Sequence, residues 1–141
     1  MSPAFHDLAT TRRSVRAYKA EPVPEALLQT VLEAGRLAPS ACNKQPWRFI
    51  VVRNETTRRA LGAAYAREWF WKAPVIIVVC VVPGEAWTRS YDGKNYALVD
   101  GALAMDHLML AAAEAGLGTC WVGSFDPAAV RTTLGLPDGV E

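Results

Sequence analysis

Three arginines surround a serine in Thr11-Arg12-Arg13-Ser14-Val15-Arg16. In an extended turn alternate residues project to one side, so Arg12, Ser14 and Arg16 can aim two guanidiniums and a hydroxyl at one phosphate, with Arg13 beside them. The same composition also serves as a solvated surface cluster, and charge alone does not choose between the two. A second segment, Pro39-Ser40-Ala41-Cys42-Asn43-Lys44-Gln45-Pro46-Trp47, holds a loop between two prolines and presents Asn43 and Gln45. Each side-chain amide carries donors and an acceptor. Such a pair suits a planar heterocycle whose edge alternates carbonyls and N–H groups, a nucleobase or a flavin pyrimidine for example. The competing reading is a loop whose amides only satisfy its own backbone.

A third segment, Gly116-Leu117-Gly118-Thr119-Cys120-Trp121-Val122-Gly123, falls short of G-x-G-x-x-G because Trp121 stands where the third glycine belongs. No phosphate loop of the G-x-x-x-x-G-K-[ST] type, no H-E-x-x-H and no G-x-S-x-G appears either, so the common hydrolase and metalloenzyme signatures are missing and no metal ligand set is assigned. His6 and His107 are isolated, and a lone histidine on an apolar helix is more often a packing residue than a ligand. Cys42 lacks a paired histidine, which weakens any nucleophile reading. Trp69, Phe70 and Trp71 read as an aromatic knot in the core or an interface.

These segments need elements to hold them. Ser2-Pro3 reads as a cap and first-turn proline for a short helix through Phe5, Leu8 and Ala9 that stops near Thr11. Leu27, Leu28, Val31, Leu32 and Leu37 recur at helical spacing after Pro24 and end before Pro39. Trp47 to Val52 reads as a strand, and Glu55 to Tyr65 as a helix. The β-branched run between Pro74 and Pro83 predicts a central strand covered on both faces, with helices as neighbours. Pro83 to Asn95 reads as a loop, and Tyr96 to Ala115 as a long helix, apolar nearly all round and therefore buried in a core or an interface. Gly116 to Gly118 ends it, Thr119 to Val122 predicts a short strand, and Asp126-Pro127 starts a last helix through Leu134.

The chain has 141 residues, which predicts one domain over residues 1–141. Lys+Arg 15 against Asp+Glu 14 gives a net charge of +1, too weak a field for a phosphate-backbone binder, so nucleic acid is an unexpected partner. Three separate cysteines make no disulfide framework. With no export signal and no apolar run of bilayer length, a cytoplasmic protein without a membrane partner is the expectation.

Together, in their order and separation, the three segments resemble the FMN-dependent nitroreductase family, and the likeness runs over essentially the whole chain. The resemblance implies an α+β, three-layer α-β-α fold with a mainly antiparallel central sheet, and an intertwined homodimer with FMN at the interface and the Tyr96–Ala115 helix in it. It implies that Arg12 and Ser14, helped by Arg13, hold the FMN phosphate, and that Arg16 lies near the phosphate or the pyrimidine edge. Pro39 and Ser40 then come from the partner subunit, Asn43 and Gln45 meet the isoalloxazine edge, and Trp121, Val122 and Gly123 line the other side of the ring. The implied activity passes hydride from NAD(P)H through the flavin to nitroaromatic, quinone or similar small aromatic acceptors in ping-pong order, with no side chain acting as nucleophile or base. Two departures accompany the likeness. The chain stops at Leu136-Pro137-Asp138-Gly139-Val140-Glu141, where relatives continue into a further strand and a C-terminal arm. The Pro83–Asn95 loop replaces a longer helical insertion, which implies a smaller or more open pocket. A dehydrogenase or reductive dehalogenase of the same fold, or a non-catalytic truncated flavin-binding fragment, are the alternatives.

Overall fold

The two strand-like stretches pair with one another. In the computed structural model, which describes residues 4–141, β1 (Trp47–Val52) and β2 (Ile76–Val81) run antiparallel, from Trp47 opposite Val81 to Val52 opposite Ile76. Successive side chains then leave on opposite faces. Phe49, Ile77 and Val79 turn toward a buried cluster of Val31, Leu108 and Ala112, supplied by α2 (Glu25–Arg36) and α5 (Ala97–Glu114). Ile50, Val52, Ile76 and Val78 turn the other way, onto Leu61, Phe70, Val130 and Leu134. Those come from α3 (Glu55–Leu61), α4 (Glu68–Lys72) and α6 (Pro127–Leu134). Helices thus cover both faces of the pair, an α-β-α layering in an α+β fold. This explains why the 75–82 run shows no alternation: neither face of β2 meets open water.

The long helix α5 lies so close to β2 that a Cβ at Gly101 would stand 2.6 Å from Val81 Cγ1. Ala97, Asp100, Gly101, Ala104, Leu108 and Ala112 form its buried stripe. Within one chain α5 is not buried all round: Leu98 is 70% exposed, Val99 41% and Leu103 39%. Apolar side chains therefore stay uncovered in the first two turns of α5.

Local chemistry sets most of the boundaries. The expected Ser2-Pro3 cap lies outside the described residues, and α1 (Phe5–Thr11) has Ala4 at its N-cap. Pro24 precedes α2, and Asp126 Oδ1 accepts from the Ala128 and Ala129 N–H groups to start α6. Asn54 Oδ1 does the same for α3 through Thr57 N–H at 3.0 Å. That helix ends at Leu61 and not at Tyr65. Gly62, a weak helix former, takes the C-cap, and Ala63 and Ala64 close short turns onto Ala60 and Leu61. The early stop frees Tyr65 to pack edge-on against Trp69 and Phe70, at centroid distances of 5.7 and 5.5 Å. The aromatic knot itself is helical, forming most of α4. Within the 83–95 loop, Pro83–Glu85 forms one short helical turn and Thr88 pairs with Asn95, so the loop is a braced hairpin.

The expected strand at Thr119–Val122 does not form. Only Thr119 pairs, in a single parallel bridge to Ser14, because a ladder needs consecutive partners and this contact stops after Val15 N–H bonds Thr119 C=O at 2.8 Å. Glu141 exchanges two hydrogen bonds with Val81, at 2.7 and 2.8 Å, on the edge of β2 that faces away from β1. No helix among the described residues is long and apolar enough to cross a membrane.

Candidate functional site

The Ser14–Thr119 bridge joins two of the three segments singled out in the sequence. It depends on Gly118, where a Cβ would meet Val15 Cγ2 at 2.9 Å and Val15 Cβ at 3.0 Å. Only a residue without a side chain lets the Val15 side chain pack this closely on the backbone at 118. The bridge brings the Arg12–Arg16 segment alongside Thr119, two residues before Trp121.

The charges there are uncompensated. Arg36, Arg48, Arg53, Arg59 and Arg89 each hold a carboxylate. Among the described residues Arg12, Arg13 and Arg16 hold none, and Arg13 Nε reaches only its neighbour's carbonyl, that of Thr11 at 3.3 Å. Trp121, two residues after Thr119, is 49% exposed. Tyr18 braces the segment by donating to Val15 C=O at 2.7 Å. Burial, reinforced by Cys120 and opposed by Arg16, pushes its phenol up to about 12, so it remains a protonated strut and cannot act as a base at neutral pH.

The third segment is built differently. Between Ala38 and Trp47 the chain folds into one short helical turn, with Asn43 N–H donating to Ser40 C=O and Lys44 N–H to Ala41 C=O. Ser40 Oγ accepts from Gln45 N–H at 2.8 Å. Cys42, Asn43 and Gln45 all take left-handed backbone, at φ of +50°, +52° and +50°. Each such residue costs of order 1–3 kcal/mol and persists only where its surroundings dictate it. Asn43 and Gln45 are exposed, and among the described residues neither side-chain amide makes a hydrogen bond. The reading in which they merely satisfy the loop's own backbone therefore does not describe this loop; the Ser40 hydroxyl fills that role.

The structure does not bring this loop to the arginines within one chain. Ala41 is tied to Asp100 in the first turns of α5, whereas Gly118–Thr119 follows the far end, where Leu117 N–H bonds Ala112 C=O. Ala112 stands twelve positions after Asp100 on α5, about 18 Å along the axis at 1.5 Å per residue. The two groups of candidate residues lie toward opposite ends of the long helix.

Comparison with known proteins decides the family. The model for the nitroreductase family matches residues 9–69 and 63–141, nearly the whole chain. The chain belongs to the nitroreductase family. An "NADH dehydrogenase" of Thermus thermophilus is 36% identical over 159 residues, covering 92% of this chain and 78% of the relative. A "putative NADH dehydrogenase/NAD(P)H nitroreductase" of Archaeoglobus fulgidus is 33% identical, covering 92% and 75%. The crystal structure of a nitroreductase family protein from Clostridium difficile superposes with a TM-score of 0.92 at 37% identity, over 99% of this chain and 79% of that one.

In this member of the family two residues that hold the candidate segments escape a sequence reading. Thr119 is an ordinary residue until the fold sets it beside Ser14. Asp100 has one visible signal, a carboxylate inside the otherwise apolar stretch Ala97–Met105, but nothing local says what it holds. Among the described residues no cluster of histidine, cysteine, aspartate or glutamate could take a metal ion.

Proposed function

We propose that this nitroreductase is an FMN-dependent oxidoreductase that draws on NAD(P)H and reduces nitroaromatic, quinone or similar acceptors in ping-pong order. The observation that carries the reading is the Ser14–Thr119 bridge, which joins a segment of three arginines with no carboxylate partner among the described residues to the segment of a half-exposed tryptophan. A phosphate monoester at one end and a flat ring at the other match those two features. Arg12 and Ser14, with Arg13, would hold the phosphate, and Arg16 would serve it or the pyrimidine edge. FMN, when bound there, would supply the redox chemistry, two-electron transfer between the nucleotide and the acceptor. The protein's residues bind and orient it; a guanidinium fixed near the ring edge also favours the reduced, more negative state.

The rest of the reading is a homodimer. A two-fold arrangement that sets the two α5 helices antiparallel, with the loop end of one beside the arginine end of the other, joins the two groups of residues. Pro39, Ser40, Asn43 and Gln45 of the partner subunit then complete the site. Relatives of related chemistry support the cofactor: an "FMN reductase [NAD(P)H]" of Bacillus subtilis is 28% identical over 144 residues, and an "FMN-dependent nitroreductase" from Clostridium difficile shares the fold at a TM-score of 0.83.

The direct test is an absorbance spectrum of purified protein after FMN addition and gel filtration, followed by anaerobic NADH or NADPH. Retained flavin bands that bleach with either nucleotide, and recover with a nitroarene or quinone, are expected. Bleaching without recovery would move the assignment to another reaction of the same fold, and no retained flavin would defeat it. Gly118→Val tests the ensemble: the branched side chain must push Val15 away, and FMN affinity is expected to fall about tenfold. An unchanged dissociation constant in fluorescence titration would disconnect the bridge from the site.

A further inference from the structure

We propose that Asp100 is the positioning residue of the Pro39–Gln45 loop, holding its amides in the arrangement that reads the ring edge; this rests on the flavin reading above. Asp100 is 1% exposed, the one buried charged residue among those described. Its Oδ1 accepts from Ala41 N–H at 3.0 Å, and its Oδ2 is buried with no donor among the described residues. A carboxylate taken out of water for a single hydrogen bond is a poor stabiliser, so its use lies in what that bond fixes.

What it fixes is the entry to the left-handed stretch. Ala41 directly precedes Cys42 and Asn43, whose φ values of +50° and +52° are unfavourable for side-chain-bearing residues. The bases of the loop are already clamped, since Ala38 on one side and Trp47 on the other pack with Ala104 of α5. Asp100 stands one helical turn before Ala104, so one face of α5 grips the loop at both bases and at its middle. Its place in the first turns of α5, facing the positive end of the helix, also suits a carboxylate. The side chain touches neither the arginines nor Trp121 in its own chain, so its effect reaches the ring only through Asn43 and Gln45.

The test compares wild type, Asp100→Ala and Asp100→Asn by two readouts. The first is amide hydrogen exchange without flavin. The second is titration with FMN and with riboflavin, which lacks the phosphate. In Asp100→Ala, exchange over residues 39–45 is expected to rise about tenfold while β1 and β2 stay protected, because one backbone donor loses its acceptor. FMN and riboflavin are expected to weaken by the same factor, about tenfold, since the ring edge is common to both. Asp100→Asn keeps an acceptor for Ala41 N–H and should stay within about threefold of wild type. Unchanged loop exchange in Asp100→Ala overturns the proposal. So does exchange that rises equally in β1 and β2, a loss confined to FMN, or an asparagine variant as impaired as the alanine one. If wild type takes up no flavin the functional reading falls, and the exchange arm still decides whether Asp100 holds the loop.

Discussion

Arg12→Ala combined with Arg16→Ala is expected to weaken FMN binding roughly 10²- to 10⁴-fold, at about 1.5–3 kcal/mol for each lost charge-assisted contact. Riboflavin binding should change far less, because the groups removed answer to a phosphate. The size of the effect follows from the electrostatics of the free protein. An arginine already held by a carboxylate, such as Arg36 by Glu33, must give up a partner before it can bind an anion. Arg12 and Arg16 have no carboxylate partner among the described residues, so their attraction for a phosphate is undiminished by competition within the chain. Arg36→Ala is the matched control, removing the same charge from an exposed helix position. Isothermal titration at two ionic strengths separates the outcomes further, since a phosphate contact weakens with salt and a ring contact does not. Equal losses for FMN and riboflavin, or none for either, would remove the arginines from the site.

How far the site can be seen in the sequence depends on how local each signal is. The β1 and β2 stretches, the start of α2 after Pro24 and the Asp126 cap of α6 are written in neighbouring residues, and the fold keeps them. Asn43 and Gln45 are visible as paired amides between prolines, but their left-handed backbone is not, since neither is glycine. Thr119–Val122 carries strand-forming residues and still forms no strand, because among the described residues its backbone pairing is limited to one bridge with Ser14. The stop of α3 at Leu61 likewise rests on Gly62 and on the pull of the Tyr65 ring toward Trp69, a contact made outside the helix. Asp100 is illegible for the same reason: its partner, Ala41 N–H, lies 59 residues away.

Mixing two defective chains is the strongest test of the two-half-site arrangement. One chain carries Arg12→Ala with Arg16→Ala; the other carries Asn43→Ala with Gln45→Ala. Each alone is expected to form homodimers in which both sites are damaged, with little retained flavin. Denatured together and refolded, or co-expressed, they should recover about a quarter of the wild-type flavin sites. The fraction follows from random pairing across a two-fold axis. A site is intact only when its arginine cluster comes from the second chain and its loop from the first, and each choice has even odds. The geometry leaves no other route to recovery, because α5 keeps the two ensembles of one chain about 18 Å apart along its axis. If both half-sites instead acted within one subunit, every site in every mixture would carry one defect and nothing would be recovered. Leu103→Asp supplies the companion result: Leu103 is among the uncovered apolar side chains of α5, at 39% exposure, and a charge there should break the dimer without entering the monomer's core. Loss of flavin together with the dimer would tie the exposed face of α5 to the chemistry, whereas a monomer that still holds FMN would return the whole site to a single chain.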